Sequence, residues 1–438
     1  MINDSKLLPL GGTCVNVGCI PSKIMLHQGE EYYYPIHSKF KGINIKGKAD
    51  FVIALRETRD MIEKFREKNY GNVIGKQKHI DFKEGKAKFI DKNIVSVGKE
   101  KFKAGNIIIA TGASTFVPPI KGIEKIDYLT NTNVFDLKKR PKSIIIFGAG
   151  PQGMEFSQIF HHFGIKVIVL QRSDRILTKM DALVAKELRK YLEEEGIEIY
   201  TGVTANGVKK TPKGIEFDVE IKGKSKKITA EKLFLGTGLS PHTRDLNADK
   251  AGIKLDEKGF VEVNEYMQTS QRNIYAAGDV TGLMPLETTA AKQGSISVIN
   301  MFDNEKKTIN YNEVPSVVFT SPAVASVGIT EEEYMKKYKT CMCSTIKIDH
   351  VEKAKAIKDT RGMIRMVLDH KTKQVIGVQI VSPMAADIIT TATYAIKNKM
   401  TIDDIKDTVH VFPTMSEMIK KVAQSFYQNL DDMACCVE

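Results

Sequence analysis

The sequence predicts an α/β chain of several parts, and three observations predict it. From Lys142 it reads S-I-I-I-F, then Gly148-Ala149-Gly150-Pro151-Gln152-Gly153, a helical stretch to Phe163, Gly164, and a second apolar run from Lys166 to Leu170. That order is strand, glycine turn, helix, strand. Apolar runs that end in glycine turns recur at Asn106 to Gly112, Lys232 to Gly238 and Asn273 to Asp279. After Asn310 the pattern changes to alternating strand-like segments at Ser316 to Phe319, Met363 to Leu368 and Val375 to Ile380, followed by helix-like stretches at Ala385 to Lys397 and Met415 to Phe426.

At roughly 150 residues per domain, a chain of this length makes two to three domains, each able to bury its own core. A composition of 42% hydrophobic and 27% charged residues excludes low-complexity and collagen-like classes. No apolar run approaches the roughly 18 residues of a membrane helix, and Met1 to Leu10 lacks the basic and apolar regions of a secretory signal. The expectation is a soluble cytoplasmic protein without a membrane partner. The net charge of +12 raises the question of a nucleic-acid partner. Its lysines, as at Lys99 to Lys103 and Lys222 to Lys227, stand among acidic and apolar neighbours without interleaved aromatics, so a solvated surface and no nucleic acid are expected.

The turn Gly148, Gly150, Gly153 ends a strand, opens a helix and lies inside a βαβ unit, the context that makes G-x-G-x-x-G a dinucleotide site rather than a chance turn. The second strand of such a unit normally ends in an acidic residue for the ribose 2′-hydroxyl. Here Gln171 and Arg172 stand there, which removes repulsion toward a 2′-phosphate and offers it a charge-assisted contact. NADPH is therefore expected over NADH. The alternative is that Arg172 and Arg175 are solvated loop residues.

Six cysteines fall into three close pairs: Cys14 with Cys19, Cys341 with Cys343, Cys435 with Cys436. The first pair sits in Gly11-Gly12-Thr13-Cys14-Val15-Asn16-Val17-Gly18-Cys19-Ile20-Pro21-Ser22-Lys23, two thiols bracketed by glycines and leading into a helix whose N-terminus lowers a thiol pKa. A reactive dithiol is the natural reading; two buried cysteines in a glycine turn are the alternative.

This stretch resembles the flavin-dependent pyridine nucleotide-disulfide oxidoreductases, whose signature G-G-T-C-x-N-x-G-C-x-P-S-K it matches throughout. The resemblance covers nearly the whole chain. It implies two Rossmann-like nucleotide-binding domains, the first truncated, and a C-terminal α+β dimerisation domain. The implied boundaries are 1–137 with 258–308 for FAD, 138–257 for NAD(P)H and 309–438 for dimerisation. It further implies cofactor contacts at Gly11, Gly12, Thr13, Thr111, Gly112, Gly238, Gly278 and Asp279, beside the nicotinamide site at Gly148, Gly150, Gly153 and Arg172. By the same resemblance Cys19 lies against the flavin, Cys14 faces the substrate, and Lys23 pairs with Glu155 beside the flavin.

Two departures narrow the function. Dithiol reductases of the family carry H-x-H-P-T-x-x-E, in which the second histidine shuttles a proton; here the stretch is His410-Val411-Phe412-Pro413-Thr414-Met415-Ser416-Glu417. Phe412 moves no proton, so general acid/base help worth about 10² to 10⁴ is lost there. His410 in a shifted register is the alternative, although in an extended strand its side chain points to the other face. The second departure is the terminal pair Cys435-Cys436, vicinal thiols suited to relay a soft two-coordinate cation, or else a merely structural pair.

Together these features resemble the mercuric reductases within the family. That implies Hg(II) as substrate and Cys14, Cys19, Cys435 and Cys436 as its ligands, with the tail of one subunit of a homodimer feeding the dithiol of the other. Electrons then pass from NADPH through FAD to give Hg(0). An aromatic residue, often tyrosine, occupies the Phe412 position in that branch, so a hydroxyl is missing here. The family opens with its own strand, glycine turn and helix for the FAD pyrophosphate, and this chain starts near the end of that unit's second strand, so an element of roughly 30 residues is expected to be absent. The small G-M-T-C-x-x-C carrier domain of some mercuric reductases is absent too. Two rivals follow: a dihydrolipoamide-type dithiol reductase, against which Phe412 and the tail argue, and a flavin-deficient metal-binding protein. Cys341 and Cys343 are expected to be small buried cysteines, with a metal pair as the alternative, and His161 and His162 to be surface or packing residues.

Overall fold

Three runs of branched apolar residues, Ser143–Phe147, Lys166–Leu170 and Lys232–Leu235, pair in parallel with Glu198–Tyr200 in the order 198–200, 166–170, 143–147, 232–235. Such runs suit a sheet covered on both faces. Alternate residues enter two different cores: Ile144, Ile146, Val167 and Val169 pack against helices Pro151–His162 and Ala182–Glu195. Ile145, Phe147, Ile168 and Leu170 pack against Phe217 and Val219 of an antiparallel ribbon, Val203–Thr211, Gly214–Ile221 and Lys224–Ala230. Asp181 caps the Ala182–Glu195 helix by accepting from the Leu183 and Val184 amides, and Gly196 ends it at φ 110°. The computed structural model describes residues 1–303 and 305–433, so Cys435 and Cys436 lie outside the described residues.

Around this unit the chain adds smaller pairings. Ile107–Ile109 runs parallel to Ile274–Ala276, and Ala113–Thr115 antiparallel to Leu239–Pro241, so segments far apart in sequence are brought together. Helices Cys19–Ile36 and Phe51–Arg66 lie against Pro151–His162 and contribute Met25, Leu26, Phe51 and Leu55 to the same core.

The last part is a five-stranded antiparallel sheet in the order Ser316–Val318, Ala323–Gly328, Val375–Ser382, Met363–Leu368, Met342–Lys347. The expected alternation is not what burial shows: all six residues of Met363–Leu368 are buried. The reason is a second cover. Ile364, Met366 and Leu368 pack on the sheet's own helices Ala385–Lys397 and Glu417–Gln424, while Met363 and Val381 join the core of the preceding unit. A strand clamped between two layers reads as a mainly apolar run, here interrupted by Arg365, whose charge is met by Asp181 and Glu331.

A buried polar knot fixes that clamp. Glu195 accepts from the Tyr34 hydroxyl at 3.0 Å and Gln158 Nε2 at 2.9 Å, and pairs with Arg361 at 3.2 Å. The Ser321 carbonyl accepts from Tyr34, Gln158 and Arg361 in turn. Burial pushes the Glu195 carboxyl up, but the hydrogen bonds from His162 and Gln158 and the Arg361 charge outweigh it and hold it low. His162 is buried and stacks on Tyr33 at 4.3 Å, the packing role expected for it.

Candidate active site

The dithiol segment folds as a short helix Gly12–Val17, a break at Gly18 and the long helix Cys19–Ile36. Pro21 therefore sits in the first turn of the long helix, where its missing N–H costs nothing. At Gly11 φ is 102°, and a Cβ there would meet Val15 Cγ1 at 2.6 Å, so only glycine makes the entry turn. Asn16, within the motif but given no role from sequence, is buried and locks the turn by donating to the carbonyls of Pro9, Leu10 and Gly12.

Two free thiols result, Cys14 half-buried and Cys19 exposed. A hydrogen bond from Cys14 lowers the Cys19 thiol to about 7, the Lys23 charge assisting, against burial and Glu155, which raise it. The same hydrogen bond, then burial and the neighbouring Cys19 and Glu287 charges, push Cys14 far up. Of the two, Cys19 is thus the one that ionises first, toward the thiolate that is the nucleophilic and metal-binding form, while Cys14 keeps its proton.

Lys23 Nζ lies 2.9 and 2.7 Å from the two oxygens of Glu155, which the Pro151–His162 helix supplies and buries. Glu155 also accepts from the Phe319 amide at 3.0 Å and the Ser22 hydroxyl at 3.4 Å, and Lys23 lies 4.3 Å from the centre of the Phe319 ring. One carboxylate therefore joins the dithiol helix, the parallel-sheet unit and the C-terminal sheet. Phe319 carried no sequence signal, because a backbone amide and a ring face are chosen by position and not by residue pattern.

In the glycine turn after Phe147, a Cβ on Gly153 would fall 1.9 Å from the Gly148 carbonyl oxygen, whereas one on Gly150 would meet nothing within 4 Å. The helix is thereby pressed onto its strand, and an open cradle is left where a pyrophosphate can reach backbone N–H groups. Gln171 is not idle at the end of its strand: its Oε1 accepts from the Ala149 amide at 3.0 Å, bracing the turn. Arg172 is exposed and makes no hydrogen bond among the described residues. Arg175 instead donates to the Thr178 carbonyl at 3.1 Å.

Thr111, Gly112, Gly278 and Asp279 come together through a residue that sequence reading missed. His242 Nδ1 bonds the Thr111 carbonyl at 2.8 Å and its amide donates to the Gly112 carbonyl at 3.0 Å. Its Nε2 is buried with no partner among the described residues. Burial raises the Asp279 carboxyl, and the nearby His242 opposes the rise. Buried polar groups left unpartnered in this way suit a polyhydroxylated ligand, so the residues present fit the ribityl side of a flavin. Gly238 lies in the loop after Lys232–Leu235, where its carbonyl accepts from Phe116. Gly12 and Thr13 belong to the short dithiol helix.

In the His410 to Glu417 stretch, Phe412 is 50% exposed and Val411 74%. Glu417 is buried, its carboxyl raised by burial, and its Oε2 has no partner among the described residues. His410 Nδ1 bonds the Thr408 carbonyl at 2.9 Å.

Cys341 and Cys343 depart from expectation. They are half-buried and joined by a disulfide at the start of Met342–Lys347, because residues two apart on a strand project to one face.

A family description, pyridine nucleotide-disulphide oxidoreductase, matches residues 1–294, and that family's dimerisation domain matches residues 314–423. The chain belongs to the pyridine nucleotide-disulphide oxidoreductases, a FAD-dependent family that uses pyridine nucleotides. Among curated relatives it is 36% identical over 428 residues to a mercuric reductase of Lysinibacillus sphaericus, covering 98% of this chain and 78% of that protein. It is 33% identical over 425 residues to a dihydrolipoyl dehydrogenase of Thermus scotoductus, covering 96% and 90%. Of solved structures, the HOCl-induced flavoprotein disulfide reductase RclA from Escherichia coli is similar with a TM-score of 0.86 at 26% identity, over 97% of this chain and 93% of that one. The dimerisation domain points to a homodimer, and among the described residues no helix is long and apolar enough to cross a membrane.

Proposed function

We propose that the protein is an NADPH- and FAD-dependent reductase of Hg(II), working in the cytoplasm as a homodimer. The observation that carries this reading is a dithiol in which the Cys14 hydrogen bond and the Lys23 charge draw Cys19 toward thiolate, in a chain that has Phe412 where a dithiol reductase needs a proton-shuttling histidine. A thiophilic cation needs thiolate ligands and electrons; it needs no acid to protonate a leaving thiolate. The names of the mercuric reductase relatives support the substrate.

In this reading residues 1–137 and 258–308 hold FAD, 138–257 hold NADPH and 309–438 dimerise. Gly148, Gly150 and Gly153 cradle the pyrophosphate of NADPH, and Arg172, exposed and unpaired among the described residues, meets its 2′-phosphate. Gly11, Gly12, Thr13, Thr111, Gly112, Gly238, Gly278 and Asp279 line the flavin, with His242 added to the set. FAD, when bound, supplies the two-electron relay between the nicotinamide and the dithiol. The chain's own residues do the rest. Cys19 offers the first thiolate, Lys23 stabilises its charge and is itself held by Glu155, and Cys14 becomes the second ligand as its proton leaves. Cys435 and Cys436 deliver the metal by ligand exchange, a role resting on their sequence alone.

The test is anaerobic turnover of the FAD-loaded protein with NADPH and thiol-complexed Hg(II), reading mercury vapour. Wild type is expected to release Hg(0), with Cys14→Ser and Cys19→Ser silent and Cys435→Ala/Cys436→Ala slow at low metal. Arg172→Ala is expected to raise KM for NADPH about tenfold and leave that for NADH unchanged, the size of one lost charge-assisted contact. Rapid NADPH-driven reduction of lipoamide without Hg(0) release would refute the reading.

A further inference from the structure

The third cysteine pair stands apart from the dithiol and has no part in the reaction above. Cys341 and Cys343 project from one face at the start of Met342–Lys347. The adjacent strand sets Arg365 opposite Thr345, hence diagonal to Cys343. The first turn of helix Glu331–Tyr338, fixed by a capping box between Thr330 and Glu333, hangs Glu331 over the pair. Cys343 Sγ lies 3.0 Å from Glu331 Oε1, and one ligand atom each from Glu331, Cys341 and Cys343 fall within 4.8 Å of one another. All three side chains are half-buried, so the cluster is reachable from solvent.

The charges around it are arranged for a cation. Buried Arg365 pairs with Glu331, lies 3.9 Å from Cys343 Sγ, and reaches buried Asp181 at 3.8 Å on its other side. Glu331 and Asp181 carry two negative charges against one on Arg365, and once the pair is reduced and gives up its protons to a bound metal, the two sulfurs add two more that a divalent ion balances. Arg365 is a positioning residue here, holding Glu331 at the sulfurs while limiting their mutual repulsion.

We propose that, in its dithiol form, the Cys341/Cys343 pair with Glu331 is a binding site for a thiophilic divalent cation of the zinc, cadmium and mercury class, separate from the catalytic dithiol. Two sulfurs and one carboxylate oxygen make a three-ligand set that leaves the fourth tetrahedral position to water. Binding exchanges two thiol protons for one M²⁺, forming two metal–sulfur bonds and releasing two protons. The site holds whether or not the protein reduces mercury.

The test uses Cd(II) on the reduced 438-residue chain carrying Cys14→Ser, Cys19→Ser, Cys435→Ser and Cys436→Ser, so that only this pair retains thiols. One Cd(II) per chain, a thiolate-to-cadmium charge-transfer band and release of about two protons per ion are expected. Adding Cys341→Ser and Cys343→Ser is expected to abolish all three signals, and Glu331→Gln to weaken binding about tenfold. In the wild-type chain, Cd(II) is expected to protect Cys341 and Cys343 from alkylation, read peptide by peptide by mass spectrometry, which does not depend on the variants folding. Absence of the band and of that protection overturns the proposal, and unchanged affinity in Glu331→Gln removes the carboxylate from it.

Discussion

Lys23 stands between two negative groups, 2.7 Å from Glu155 and close enough to Cys19 to lower its thiol. The thiolate is therefore expected to govern reactivity near neutrality. Alkylation of the reduced protein by iodoacetamide should show Cys19 half-titrated near pH 7, with the rate falling roughly tenfold per pH unit below that. The sign follows from a thiol lowered on folding from an ordinary 9.0: stability gained from its charge is complete above pH 9 and is lost as pH falls through about 7. In Lys23→Met the profile should move to higher pH, because the cation is gone. An unmoved profile would show that the Cys14 hydrogen bond acts alone.

Gly153 shows how little room the elements leave one another. A Cβ in Gly153→Ala would be 1.9 Å from the Gly148 oxygen, so the helix must lift from its strand, at a cost of about 1–3 kcal/mol. The expected outcome is a lower denaturation midpoint together with NADPH binding weakened at least tenfold, measured by fluorescence titration. A retained Kd would show that the turn does not hold the pyrophosphate. This element was legible in advance, because a glycine turn between apolar strands has one local solution: the notional strand Lys166 to Leu170 and helix Ala385 to Lys397 coincide with those observed. Other features were illegible because they depend on distant partners. His242 gains meaning only when Leu239–Pro241 pairs with Ala113–Thr115, and Met363–Leu368 is buried throughout only because a second unit covers its other face. For the same reason the C-x-C spacing left Cys341 and Cys343 ambiguous until Glu331 and Arg365 were in place.

At the scale of the whole molecule, one buried knot and one exposed face set the behaviour. Arg361→Leu removes the partner of Glu195 and Asp359 where both carboxylates are largely buried, which is expected to destabilise the clamp by about 3 kcal/mol and loosen the C-terminal sheet. Hydrogen exchange should then rise in Met363–Leu368 before it rises in Ser143–Phe147. Val409, at 85% exposed, Val411 and Phe412 form an apolar run in the segment that matches the dimerisation domain. Sedimentation is expected to give a homodimer, and Val411→Asp to shift it toward monomer; a monomeric wild type would contradict the assignment of that face. The proposed function joins these scales: in it a dithiol poised by Lys23, itself held by Glu155, would pass electrons to a metal and not to an organic disulfide. Its most direct test is the stoichiometry of Hg(0) vapour to NADPH consumed by the FAD-loaded dimer without oxygen. The account predicts one Hg(0) per NADPH, absent in Cys19→Ser. NADPH consumption that continues without Hg(0), driven by a disulfide such as lipoamide, would contradict it.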